Sequence, residues 1–232
     1  MNTLAAPNYK RIYVWEMPVR LFHWVNALCI TVLIVTGYLI GHPLTLFRSP
    51  EAYQQYWFGT VRFIHFAFAY LFLFNFLMRL YWSFVGNRFA NWRTFLPLKK
   101  VQRHDLMDVL TVDILQIKEK GKISLGHNML AGLSYFCLFL VGIFQILTGF
   151  GLYAAMSKSW FAGLFAWVVP LFGSDGVTRV WHHGAMWFFI VFIVVHIYIV
   201  FYHDYVEGRG TASSIVGGWK FEREDRIKPD SF

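Results

Sequence analysis

Four apolar stretches divide the chain. They cover about 21–41 (LFHWVNALCITVLIVTGYLIG), 58–85 (with FAFAYLFLFNFLM at its centre), 128–153 (with LSYFCLFLVGIFQILTGFGLY) and 179–203 (with MWFFIVFIVVHIYIVFY). Each supplies the roughly 20 apolar residues that a helix needs to cross the hydrocarbon core of a bilayer. The second is longer than that, which predicts tilt or helical extension beyond the membrane. In lipid every backbone N–H and C=O needs an internal partner, so isolated spans of this length are helices. The pattern predicts an all-α membrane protein, with residues 1–232 forming a single four-helix bundle.

Two shorter stretches carry structure of another kind. HDLMDVLTVDILQIKEKG (104–121) mixes apolar residues with acids and lysines, the composition of a helix lying on a membrane surface. SWFAGLFAWVVPLFG (159–173) is apolar but too short to span, so it is expected to lie on the outer face or to form a docking surface.

Composition agrees with a bilayer rather than with a larger soluble core. The chain has 232 residues, 57% hydrophobic, 20% aromatic and only 15% charged, against roughly a quarter charged in soluble domains. The net charge of +8 would suggest nucleic acid in a soluble protein; here it follows membrane orientation and implies no nucleic-acid partner. Seventeen of the 21 lysines and arginines fall in the N-terminal segment, in 79–122 or in the C-terminal tail, leaving Arg48, Arg62, Lys158 and Arg179 for the opposite face. By the positive-inside bias, both termini and the 86–127 loop are cytoplasmic. Residues 1–18 contain no h-region, and the first apolar run is too long for a signal peptide, so that run is expected to stay in the membrane. Cys29 and Cys137 lie inside apolar runs without any CxxC or CxxCH. This argues against a thiolate metal site or covalent haem and predicts two buried, inert thiols.

The candidate chemistry lies in histidines. One phrase recurs at three span edges: VRLFHW (19–24), VRFIHF (61–66) and TRVWHH (178–183), each with an arginine three residues before a histidine. A lone histidine on an apolar helix is ordinarily a hydrogen-bonded core residue, but several at matched depth are costly and point to function. His23 lies near the cytoplasmic end of the first span and His65 near the outer end of the second. In the fourth span, His182 and His196 are 14 residues apart, about 40° around the helix and ~21 Å along it, whereas His183 and His196 differ by about 140°. Depth pairs His65 with His182 at the outer level and His23 with His196 at the inner level. Two imidazoles on facing helices are a standard way to hold an electron-transfer haem, so the pattern predicts two b-type haems, each bound by two histidines. Arg20, Arg62 and Arg179, one turn nearer the surface than their histidines, then suit the haem propionates by bidentate pairing. Arg79, 14 residues beyond His65 on the same face, suits those of the inner haem. The bland alternative for each arginine is interfacial snorkelling.

At VRLFHWVN, GHN (126–128) and WHH…MW…H (181–196) the chain resembles the cytochrome b subunit of membrane-bound nickel–iron uptake hydrogenases. The resemblance runs from about residue 12 to 220 and includes HPL after the first span, RLYWSFVGNR after the second and ILTGFGLY closing the third. It implies haem ligation by His23, His65, His182 and His196. It also implies a periplasmic partner made of a large nickel–iron subunit and a small iron–sulfur subunit, with electrons passing through the two haems to quinone. The chain itself would then be an electron-transfer subunit with no hydrogen-splitting site. The family places quinone chemistry near His127 and Asn128, and His203, two turns beyond His196, lies close to the same face; Asn128 would equally serve as an N-cap. Family members often carry Pro after GHN and Arg at the position of His183, where this chain has Met129 and His183; neither change touches a proposed ligand.

Two other readings remain open at this point. The same di-haem fold serves as membrane subunit of formate dehydrogenase and of other quinone-linked oxidoreductases, and the identity of a co-purifying partner separates these. A metal transporter would use the intramembrane histidines as ion ligands and would show no visible absorption.

Overall fold

A computed structural model gives the fold over residues 8–43, 56–95, 129–207 and 210–223. In chain order the elements are β1 (Tyr9–Tyr13), α1 (Met17–Gly41), α2 (Trp57–Val85), a 3₁₀ turn (Trp92–Thr94), α3 (Met129–Ala154), α4 (Trp160–Gly163), α5 (Val168–Leu171), α6 (Asp175–Glu207), α7 (Thr211–Gly217) and β2 (Trp219–Arg223). The four apolar stretches are the four long helices α1, α2, α3 and α6, and only 11–17% of the most apolar window of each is buried within the protein. Apolar surface left so exposed suits lipid rather than water. Cys29 is buried as expected, but Cys137 is exposed. An apolar environment in the sequence does not mean burial in protein when the solvent is itself hydrocarbon.

Two helices begin earlier than their apolar runs. α1 starts at Met17 with Pro18 in its first turn, where a missing N–H costs nothing because that donor has no intrahelical partner. α6 starts at Asp175, an acid placed at the positive end of the helix dipole. Hydropathy marks the part of a helix that meets hydrocarbon, while backbone hydrogen bonding carries it into polar turns on either side.

The described contacts fall into two compact units. The first comprises residues 1–23, 79–137 and 196–232. In it β1 and β2 pair antiparallel, Tyr9 opposite Arg223 and Tyr13 opposite Trp219. This ribbon was not expected from the sequence: its strands are only five residues each, and their pairing joins segments some 200 residues apart. It places the segment before α1 beside the segment after α6. Trp15 is buried and its indole N–H donates to Ser214 Oγ at 3.1 Å, while the amides of Val14 and Trp15 both donate to Gly218 O. Glu16 Oε2 accepts from Trp82 Nε1 at 2.9 Å and from the Asn87 amide at 3.0 Å, and Asn87 Nδ2 donates to Val14 O at 3.1 Å. The N-terminal segment is thereby tied to the end of α2 and to the tail.

The second unit comprises residues 24–78 and 138–195. Its core is Cys29, Phe72, Phe76, Ile146 and Phe150. Asn75, also buried, donates through Nδ2 to Asn26 Oδ1 at 2.6 Å, the kind of polar link that joins helices where lipid offers no competing partner. The short apolar stretch 159–173 forms α4 and α5, with Ala162 and Val168 buried and Trp160, Leu164, Trp167 and Leu171 exposed on their outer side. The surface helix expected over 104–121 lies outside the described residues.

The ribbon depends on one backbone position. Gly218 has φ of 88°, and a Cβ there would stand 2.7 Å from the Tyr13 ring and 2.8 Å from Trp15 O. Gly218→Ala is therefore expected to cost about 1–3 kcal/mol, read as a lower unfolding midpoint in detergent and faster proteolysis of the C-terminal tail. An unchanged midpoint would show that the ribbon contributes little.

Candidate functional site

Histidines gather in both units. In the first, His23 on α1 and His196 on α6 face each other with ring centroids 6.3 Å apart and planes at 49°. A metal ion bound at about 2 Å by one nitrogen from each ring separates two such centroids by roughly 6 Å, so the gap fits one ion held from opposite sides. Among the described residues no group of three or more His, Cys, Asp and Glu side chains forms a metal cage. A pair of imidazoles suits an ion whose remaining ligands arrive with a cofactor.

Arg79, on α2 in the same unit, is buried although it is a cation. Its Nη2 donates to Ala90 O at 3.2 Å, and its guanidinium lies 5.5 Å from the Phe95 ring centroid and 5.2 Å from that of Tyr135. Aromatic faces stabilise a partly desolvated cation, but they leave Nη1 without an acceptor among the described residues. Arg20 donates through Nη1 to Val216 O and likewise keeps a buried Nε without one. Buried guanidinium donors left over in this way fit an incoming carboxylate.

The second unit holds His65 on α2 and His182 on α6. Each imidazole is held from behind by a threonine. Thr36 Oγ1 on α1 hydrogen-bonds His65 Nδ1 at 2.8 Å, and Thr148 Oγ1 on α3 hydrogen-bonds His182 Nδ1 at 2.8 Å. The residue after each threonine is a glycine that the ring approaches closely: a Cβ at Gly37 would meet His65 Cε1 at 3.3 Å, and one at Gly149 would meet His182 Cε1 at 3.1 Å. Sequence reasoning did not single out these four residues. The signal was there, since VTG (35–37) and LTG (147–149) place the same dipeptide late in the first and third spans.

The remaining candidates are less involved. Arg62 Nη2 donates to Met156 Sδ at 2.8 Å, and Arg179 forms an exposed ion pair with Asp175 at 2.8 Å. His183 lies beside His42, ring centroids 6.0 Å apart, and packs so tightly on Gly41 that a Cβ there would clash with its ring. His203 lies on α6 with its side chain outside the described residues, as His127 and Asn128 are altogether.

Residues 14–218 match the family model described as prokaryotic cytochrome b561. The chain is 42% identical over 221 residues to a probable Ni/Fe-hydrogenase B-type cytochrome subunit of Azotobacter vinelandii, covering 93% of this chain and 90% of the relative. A protein of the same description from Cupriavidus necator is 38% identical, with 93% and 89% covered. The probable Ni/Fe-hydrogenase 1 B-type cytochrome subunit of Escherichia coli K12 is 34% identical, with 96% of both chains covered.

The glycine clearances give a direct test. Gly149→Val puts two methyl groups where the His182 ring already limits a Cβ, and is expected to lower the haem content of the purified chain. Wild-type haem content and an unshifted Soret band would show that the close approach is dispensable.

Proposed function

The chain belongs to the prokaryotic cytochrome b561 family, and from that premise we propose that it is the membrane subunit through which a nickel–iron hydrogenase passes electrons to quinone. The observation that carries this reading is the 6.3 Å separation of the His23 and His196 rings, a gap in which the two imidazoles would hold one metal ion. A haem would bring the remaining ligands of its iron, so two imidazoles are all the protein would need to add. We assign His23 and His196 to one haem b and His65 and His182 to a second, one pair in each compact unit. When bound, each haem supplies a one-electron Fe(III)/Fe(II) couple.

What the chain contributes is position and charge. The ligands stand on long helices rather than loops, which holds each imidazole in place by the packing of a whole helix. Arg20 and Arg79 are assigned to the propionates at the His23/His196 site, and their unused buried donors support that role. Arg62 and Arg179 are assigned to those at the His65/His182 site. The exposed Arg179–Asp175 pair is worth no more than about 1 kcal/mol, so exchanging one carboxylate for another costs Arg179 little.

In this reading His65 and His182 serve the periplasmic side, where the hydrogenase iron–sulfur subunit docks, and His23 and His196 serve the cytoplasmic side. His127, Asn128 and His203 are the proposed quinone contacts, on the strength of the resemblance and of their place in the chain. The positive charge of the terminal segments and of the 86–127 loop supports cytoplasmic termini, and the β1–β2 pairing supports a shared side for both. The names of the relatives favour hydrogenase as partner over formate dehydrogenase or another reductase.

The decisive measurement is a reduced-minus-oxidised spectrum with a haem count. Two b-type haems per chain are expected, His65→Ala and His182→Ala removing one of them, His23→Ala and His196→Ala the other. A flat spectrum would exclude the reading in favour of a metal transporter, and joint loss with His65 and His23 sharing one haem would overturn the pairing. A nickel-containing enzyme is expected to co-purify; a molybdenum enzyme instead would move the chain to the formate dehydrogenase group.

A further inference from the structure

We propose that Thr36 and Thr148 are positioning residues that fix the tautomer of His65 and His182 and lower the reduction potential of the iron they hold. The inference rests on the di-haem reading above and adds to it a chemical role for two hydroxyls. Each threonine hydroxyl has one proton to give. Thr36 Oγ1 lies 2.7 Å from Val32 O, with Leu33 O at 3.4 Å as the other candidate acceptor. Thr148 Oγ1 lies 2.7 Å from Phe144 O, with Gln145 O at 3.4 Å. A backbone carbonyl can only accept, so in both cases the hydroxyl proton is committed to the helix turn behind it. The lone pairs of Oγ1 are what remain to face the imidazole at 2.8 Å.

A hydrogen bond there needs a proton, and only the ring can provide it. Nδ1 of His65 and Nδ1 of His182 are therefore the protonated nitrogens, and Nε2 of each is left as a bare electron-pair donor. Which ring nitrogen binds a metal is set by the hydrogen bond that the other makes, so the site is committed to Nε2 ligation before any cofactor arrives. Pulling on the Nδ1 proton also makes Nε2 a stronger donor. A stronger donor stabilises ferric iron more than ferrous, which lowers the reduction potential.

Gly37 and Gly149 complete the device. Placed next to the threonines, they let each ring come close enough for the hydroxyl to reach it, since a Cβ would press on Cε1 at 3.3 Å or 3.1 Å. The arrangement occurs twice: Thr-Gly on α1 faces Arg-x-x-His on α2, and Thr-Gly on α3 faces Arg-x-x-His on α6. Two helix pairs thus contribute one imidazole each with the same support behind it.

The test uses the full haem-loaded chain in detergent and the variants Thr36→Val and Thr148→Val, which keep the shape and lose the hydroxyl, beside Thr36→Ser and Thr148→Ser, which keep it. Haem content and the midpoint potential of each haem are read by optical redox titration. Two haems in the unaltered chain establish the parent reading; fewer would be a failure of that reading, visible before any variant is made. Each valine variant is expected to retain two haems and to shift the oxidised-to-reduced ratio of one of them, at fixed ambient potential, about tenfold toward reduced, which is about 59 mV upward for a one-electron couple. The other haem is expected to stay where it was, and serine to restore the wild-type value. Valine variants with both potentials unmoved, or serine variants displaced as far as valine, would overturn the proposal. Should valine expel the haem, the serine variants decide: retention at the wild-type potential supports the hydroxyl's role, and loss overturns it.

Discussion

An imidazole carried into hydrocarbon must have its polar atoms engaged, because no water is present to take them, and much of the arrangement around the histidines follows from that constraint. His65 and His182 meet it with threonine hydroxyls whose own protons are already committed to the helix turn. The requirement propagates backward into the helices that supply the partners. A small residue must stand beside each threonine, so the helices bearing Thr36 and Thr148 carry glycine at a point where glycine costs roughly 1 kcal/mol of helix stability relative to alanine. Local helical preference yields there to the needs of a buried polar pair.

The same logic governs the buried cations. Arg79 is satisfied in part by a carbonyl and in part by the faces of Phe95 and Tyr135, and the donor left over is chemically specific, since a fixed guanidinium suits a carboxylate. Arg179, by contrast, has an exposed partner of its own in Asp175. The two arginines are therefore not equivalent: Arg79 is held in protein, Arg179 at a surface where its partner is exchangeable. The proposed propionate roles draw on both.

The ribbon formed by β1 and β2 sets a different kind of boundary. Spanning helices are stabilised within lipid largely by their own backbone hydrogen bonds, which leaves the registration of one helix end against another to segments outside the bilayer. Here Trp15, Glu16, Asn87 and Gly218 supply it through hydrogen bonds between residues far apart in the chain. Since His23 begins only a few residues after Glu16, anchoring the start of α1 also restrains the height at which that imidazole is presented. That restraint would suit the proposed electron-transfer role, in which ligand geometry has to survive repeated changes of charge.

Read alone, the sequence determined the four spans, because twenty apolar residues in a row have one stable outcome in lipid, and it singled out His23, His65, His182 and His196 because ionisable groups are rare enough there to stand out. It misjudged Cys137, which is exposed rather than buried, and it left open where α1 and α6 begin, at Met17 and Asp175, where hydrogen bonding outruns hydropathy. Only the tertiary structure decided that β1 pairs with β2, that Thr36 and Thr148 stand behind two of the imidazoles, and that Arg79 is enclosed by Phe95 and Tyr135. Those facts join residues tens to hundreds of positions apart. Periodicity along one helix carries the face on which a side chain lies, but not the partner that a different helix brings to it.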